Sequence, residues 1–347
     1  RSLGEWRSAA ETLSRFQQNF PGVDRTALAP VLNHLGRLLA GPLESIDEAI
    51  DTYREALACD PGLDSARASL AELLAHRPEL WEEAIERHTE LLEKNPARVA
   101  SLRAMIRVAG RRGLDSRVSA GLAILRGLGA ATPEELESAP ETWRPDVEPA
   151  VFQNPVWEAV RRMAREAAEE LGAALGTGSP DIGNTSATSP RLRFRGAVTA
   201  AEAELTAPAL LPLPVSELSA AMSLTHQLAF EEESVSGDGH LVNELSRHLG
   251  RRTRKRLRRV LEGVSAEQIA EVDYEAWRAE LRGLAGTLAL RNSGVSLRDA
   301  LSAWLISDDD QPDRTLPPEA DFEALVSASP EATAMLRHLV RHWVASF

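Results

Sequence analysis

The feature that most constrains the fold is a residue spacing that recurs three times in the first hundred residues. Segments 6–21, 46–61 and 81–96 each place a large apolar residue three positions before a small one, continue with residues four and seven positions after the small one, and end on a proline. Steps of three and four keep these positions on one face of a helix, and the small residue allows a neighbouring helix to approach closely. Proline ends each helix because it cannot continue the hydrogen-bond ladder. The spacing therefore predicts helices packed against one another.

The middle segment, IDEAIDTYREALACDP, resembles a known repeat family. It carries, in the order small, aromatic, small and proline, the residues Ala49, Tyr53, Ala56 and Pro61, and it follows Leu35-Gly36. In these residues the chain resembles the tetratricopeptide repeat (TPR), a helical pair of about 34 residues. The chain departs from the family in having about one extra residue per repeat, and 101–129 lacks a closing Asn-Pro. The resemblance implies an α-solenoid over 1–129 whose concave side holds a peptide or a partner helix.

The same resemblance assigns groove positions to particular residues. Carried over residue by residue, these positions are Asn33, Arg37, Ala68, Glu72, Arg103 and Arg107. Three arginines there would favour another protein with an acidic or carboxylate-ended segment, because a guanidinium binds a carboxylate through two parallel hydrogen bonds. The alternative is that these are solvated residues of helix surfaces, since arginine is usually exposed. His88, at an inward position, is expected to be a packed core residue.

Length and composition predict two helical domains. A chain of 347 residues exceeds one typical core, and Ala, Leu, Glu and Arg recur throughout while aromatic residues make up only 5%. The expected fold class is mainly α. It comprises a TPR-like α-solenoid over 1–129, a Pro- and Glu-rich linker over 130–155, and a mostly helical domain over 156–347 with a mobile segment near 173–191 and at most a short β element.

Charge, cysteine content and hydropathy limit the compartment and the partners. The formal charge of −13 would repel polyanions, so nucleic acid is an unlikely partner. Cys59 is the only cysteine and cannot form an internal disulfide, and no run of about 18 apolar residues could span a membrane. We expect a reducing, cytoplasmic location. Because the chain begins at Arg1 without a start methionine, we also expect it to be a fragment. The oligomeric state stays open.

Two local patterns in the second half predict secondary structure. Partial alternation over 192–205 (LRFRGAVTAAEAEL) favours one or two short strands, and a helix is expected from 216 to 230 with Ser216 as its cap. Over 241–264 the apolar residues form one helical stripe, which Thr253 completes.

This half also resembles the C-terminal region of large bacterial repeat proteins whose zincin-like domain has lost its metal motif. That resemblance implies an inactive peptidase fold, because no His-Glu-x-x-His occurs.

A candidate metal site lies at the start of this stripe. His240, Glu244 and His248 are spaced by four residues, so one helical face could turn all three toward a single ion. A metal-dependent hydrolase that uses them is the alternative to a non-catalytic protein. The other interpretation is that these histidines lie at the surface or at a helix end.

A run of basic residues follows directly. Between 251 and 259 the chain carries Arg251, Arg252, Arg254, Lys255, Arg256, Arg258 and Arg259. Three interpretations stay open: a solvated face paired with carboxylates at 231–233 and 308–310, a surface for an acidic protein partner, and a surface for nucleic acid or phospholipid. No aromatic residue interrupts the run, so stacking on single-stranded bases is not supported.

Together these features favour a non-catalytic adaptor. There is no glycine-rich phosphate loop and no Gly-x-Ser-x-Gly, and no cofactor is expected. We predict that the protein binds another protein through the groove, the basic helix or both.

Overall fold

All regular structure in the described part of the chain is helical. The computed structural model describes residues 3–19, 24–145, 152, 154–175, 189–230, 239–305, 322–345 and 347. These residues form nineteen α-helices and no β-strand, so the prediction of a mainly α fold is confirmed. The chain divides into two compact units, Arg1–Leu125 with Trp343–Phe347, and Arg126–His342. The domain boundaries expected from the sequence remain a prediction.

The first unit is built from consecutive helices. They are α1 (Leu3–Asn19), α2 (Arg25–Ala40), α3 (Ile46–Cys59), α4 (Asp64–Ala75), α5 (Trp81–Lys94), α6 (Val99–Arg111) and α7 (Asp115–Gly127), whose last two residues belong to the second unit. From α1 to α6 each helix packs against the next, and α4 also contacts α2 and α6. Pro61 and Pro96 follow the ends of α3 and α5, as predicted, and Pro21 lies outside the described residues.

The residues of the recurrent spacing form the core of this unit. Ala49, Tyr53 and Ala56 of α3 are almost completely buried, as are Ala84 and Leu91 of α5. The close approach of α2 to α3 requires glycine at position 36. A Cβ atom there would lie 2.7 Å from Cε1 of Tyr53, closer than two carbon atoms can pack. The Leu-Gly pair in the sequence is therefore explained by the ring that packs over it.

The second unit contains the remaining helices. They are α8 (Pro133–Ser138), α9 (Pro155–Glu166), α10 (Ala168–Ala174), α11 (Pro190–Leu205), α12 (Val215–Phe230), α13 (Gly239–His248), α14 (Arg251–Val260), α15 (Ala266–Ala270), α16 (Tyr274–Ser293), α17 (Leu297–Leu305), α18 (Phe322–Ala328) and α19 (Pro330–Val344), whose last two residues belong to the first unit. The longest is α16, which contacts α11, α12 and α17. At Gly283 of α16 an added Cβ would lie 2.6 Å from the backbone nitrogen of Met335, so α19 crosses it closely.

The predicted strands at 192–205 are wrong, because this segment is helix α11. Its buried residues Phe194, Val198, Ala201 and Leu205 are separated by four, three and four positions, which is a helical period and places them on one face. This face packs against α16. The apparent alternation extends over too few residues to outweigh that longer period.

Two further expectations need correction. The apolar stripe over 241–264 is not one helix, since α13 ends at His248 and α14 begins at Arg251 after Gly250, whose backbone is extended (φ −69°, ψ 161°). The helix expected from Ser216 begins at Val215, so Ser216 lies inside it. The expected mobile segment near 173–191 overlaps the end of α10 and the start of α11, and its centre, 176–188, lies outside the described residues.

Candidate functional site

A concavity in the first unit brings together most of the residues assigned to the groove. It has a volume of about 680 Å³ and is lined by side chains of α2 to α6 and of the residue before α6. Five of the six assigned residues contribute to its wall, namely Arg37, Ala68, Glu72, Arg103 and Arg107. Asn33 does not; its amide nitrogen donates to the Ser65 hydroxyl at 3.0 Å.

The concavity is rich in positive charge. Arg37 comes from α2, and Arg103 and Arg107 come from successive turns of α6. Arg98, at the residue before α6, is a fourth arginine of this wall, and its buried Nε has no hydrogen-bond partner in the described structure. The single carboxylate of the wall is Glu72, whose Oε1 lies 2.6 Å from Nη2 of Arg107. Four arginines and one carboxylate therefore line the concavity.

Arg98 was not found by sequence reasoning. The groove positions were carried over only to residues inside helices, whereas Arg98 occupies the position just before the first turn of α6, with an extended backbone (φ −64°, ψ 95°). The only signal available was its place two residues after Pro96, where the chain turns into the next helix.

His88 of α5 lines the same concavity and is only 3% exposed. Neither ring nitrogen makes a hydrogen bond in the described structure; the Ala71 backbone is near enough to favour the protonated ring but does not meet hydrogen-bond geometry. Burial lowers the pKa of His88 to about 4; Arg107 and Arg98 also lower it, while Glu72 opposes the shift. The ring is therefore neutral at pH 7, and the expectation of a buried His88 is confirmed.

The basic residues of α14 divide by what they contact. Three of them bind backbone carbonyl groups at the C-terminal ends of other helices. Nε of Arg254 donates to the Leu249 carbonyl after α13 (2.9 Å), Nη2 of Arg256 to Glu166 at the end of α9 (3.4 Å), and Nε of Arg258 to Ala229 in α12 (2.5 Å). Carbonyl groups at a helix end have no partner within the helix, so these side chains satisfy polar groups that the fold would otherwise leave open.

The other four basic residues of α14 are exposed. Arg251, Arg252, Lys255 and Arg259 have no ion pair or hydrogen bond from their side chains within the described residues. Arg256, another residue of the run, forms an ion pair with Glu166 of α9, whose carboxylate lies 3.3 Å from its Nε. The carboxylates proposed as internal partners, at 231–233 and 308–310, lie outside the described residues.

The candidate metal ligands share one helix, and among the described residues one of them is already ion-paired. His240, Glu244 and His248 all belong to α13, but the carboxylate of Glu244 is engaged by Arg247 (3.1 Å) and lies 3.7 Å from Nε2 of His248. Over the described residues no group of three His, Cys, Asp or Glu side chains is arranged to hold a metal ion.

Comparison of the chain with protein-family models, with curated protein sequences and with solved structures found no match. Within the described residues, no helix combines the length and the apolar character that crossing a membrane requires.

Proposed function

We propose that this protein is a non-catalytic adaptor whose concavity in the first unit binds an acidic or carboxylate-ended segment of another protein. The observation that carries the proposal is the concentration of Arg37, Arg98, Arg103 and Arg107 around one concave surface, with Glu72 as its single carboxylate, in a chain of formal charge −13. Guanidinium groups that face one another repel, and a bound carboxylate relieves that repulsion while forming charge-assisted hydrogen bonds.

The size and the lining of the concavity fit such a ligand. A volume of about 680 Å³ is in the range of pockets that hold a small ligand or a short peptide segment. Tyr53 and Leu91 also line the concavity, so its wall is not polar throughout. The resemblance to the tetratricopeptide repeat supports a peptide as the occupant. We further propose that the adaptor acts in the cytoplasm.

The proposal is tested with a pair of fluorescein-labelled peptides that end in Glu-Asp, one with a free terminal carboxylate and one amidated. Fluorescence anisotropy measures the dissociation constant of each peptide for the full chain. We expect the free acid to bind about tenfold more tightly than the amide, because one charge-assisted bidentate contact is lost. In the double variant Arg103→Glu/Arg107→Glu this difference should disappear.

A matched control variant has the same net charge as the groove variant but carries its substitutions outside the concavity. Arg7 and Arg15 are exposed residues of α1 outside this concavity, and Arg7→Glu/Arg15→Glu should retain the preference for the free acid. The proposal is wrong if neither peptide binds the wild type, or if the groove variant binds both peptides as the wild type does.

A further inference from the structure

The seven basic residues of α14 fall into two groups, and one of these groups bonds to other helices. Arg254, Arg256 and Arg258 hold the ends of neighbouring helices, as described above. At 100° per residue, the other four residues fall within an arc of about 100° on one side of the helix. The opposite side carries Thr253 and Leu257, which are buried. We call Arg251, Arg252, Lys255 and Arg259 the cationic face.

The cationic face opposes the stability of the helix that carries it. Arg251, Lys255 and Arg259 are four residues apart, and like charges at this spacing on a helix repel one another. Arg251 and Arg252 also lie in the first turn, where the helix dipole disfavours positive charge. None of the four forms an ion pair with a described carboxylate. Four exposed charges that disfavour the helix, and that form no ion pair with a described residue, are therefore available to a partner.

From this we propose that the cationic face is a docking surface for a short acidic segment of a second protein. Charge complementarity is the driving contact, and the face is short. Its residues span about 12 Å along the helix at 1.5 Å per residue, which matches a few consecutive carboxylates. The cationic face shares no residue with the concavity in the first unit, so the two binding proposals can be tested separately.

The composition of the face argues against the other polyanions. Every exposed residue between 251 and 259 is basic, so no aromatic side chain is available to stack on a base and no apolar side chain to enter a lipid layer. A nucleic acid extends far beyond 12 Å and would meet a chain of net charge −13, whereas a short acidic segment would meet only the face.

The test uses the full chain and a labelled octaglutamate peptide with an amidated C-terminus. Because its side-chain carboxylates could also enter the concavity, binding is measured both in the wild type and in the Arg103→Glu/Arg107→Glu background. The octaglutamine peptide is the uncharged counterpart. Anisotropy at about 0.1 M salt, where exposed charges are largely screened beyond about 10 Å, should show binding of octaglutamate and not of octaglutamine. In the variant Arg251→Gln/Lys255→Gln/Arg259→Gln we expect the affinity to fall at least about tenfold, because three cations no longer attract the peptide.

The matched control removes the same number of charges elsewhere. Arg7, Arg15 and Arg25 are exposed residues of the first unit, and Arg7→Gln/Arg15→Gln/Arg25→Gln should bind octaglutamate within about twofold of the wild type, since the attraction is local. Arg103→Glu/Arg107→Glu should also retain the interaction, which separates this proposal from that of the groove. The melting temperature of the face variant should equal or exceed that of the wild type, because the variant removes repulsion.

Four results would overturn the proposal. They are no binding of octaglutamate by the wild type, equal binding by the face variant, tighter face-dependent binding of duplex DNA or of phosphatidylserine vesicles, and self-association that the face variant abolishes. The third result would identify a polyanionic partner other than protein, and the fourth a second copy of the chain.

Discussion

The concavity of the first unit and the cationic face of α14 both concentrate arginine in a chain of net charge −13, but they assemble it differently. In the concavity the guanidinium groups come from α2, from the residue before α6 and from α6, so packing brings them together. On α14 they follow one another along a single helix of ten residues. A charge cluster made by packing depends on the core beneath it, whereas one made by a single helix depends only on that helix being anchored.

The largest effect on stability is expected from a substitution at Leu257, the buried residue that holds α14 against the rest of the second unit. Leu257 is completely buried, and Thr253 is the other buried residue of this helix. Leu257→Ala should lower the free energy of unfolding by about 2–5 kcal/mol, through lost burial and the cavity left behind. Urea denaturation followed by tryptophan fluorescence measures it, with the half-buried Val260→Ala as control. A loss below about 1 kcal/mol would show that α14 is held by its arginines rather than by Leu257.

The core beneath the concavity should make the stability of the protein depend on pH. The pKa of His88 is about 4 in the folded chain and about 6.5 when unfolded. Between these two pH values the unfolded state binds a proton at His88 and the folded state does not. The free energy of unfolding is therefore highest above pH 6.5 and decreases as the pH falls toward 4.

The loss should reach about 3 kcal/mol. It is measured as the difference in unfolding free energy between pH 7 and pH 4.5 for wild type and His88→Leu, which places leucine where Leu13 stands in the first segment of the repeat. The variant should show a smaller decrease. An identical decrease in both proteins would mean that His88 does not cause it.

Neighbouring residues of α14 test the division between arginines that hold the fold and cations that do not. Arg254→Ala removes a charged donor from the carbonyl groups of Leu249 and Ser246 and should lower the unfolding free energy by about 1.5–3 kcal/mol. Lys255→Ala, one position along, should change it by no more than about 0.5 kcal/mol. Equal effects of the two substitutions in the same denaturation assay would contradict the division.

The smallest effect is expected at the rim of the concavity. The Arg107–Glu72 pair is exposed on both sides, with 42% and 47% of the side chains accessible. Arg107→Ala should therefore reduce stability by less than about 1 kcal/mol, and the reduction should vanish at high salt because exposed pairs are screened. A larger loss that persists in 1 M salt would show that Arg107 supports the core and not only the surface charge.

The features that the sequence determined by itself are those set within one or two helical turns. The spacing of Ala49, Tyr53 and Ala56 predicted which face of α3 is buried, and Pro61 and Pro96 predicted where two helices end. The burial of His88 followed from the same spacing. These inferences succeed because periodicity and proline act through the local backbone, whose geometry does not depend on distant residues.

Only the tertiary structure decided which side chains have partners. The same run of basic residues contains Arg254, which binds the end of α13, and Lys255, whose side chain forms no hydrogen bond or ion pair among the described residues. Packing likewise placed Arg98 in the concavity and set α11 against α16. Contacts between helices far apart in the chain decide these points, because a side chain finds its partner only after the helices have packed.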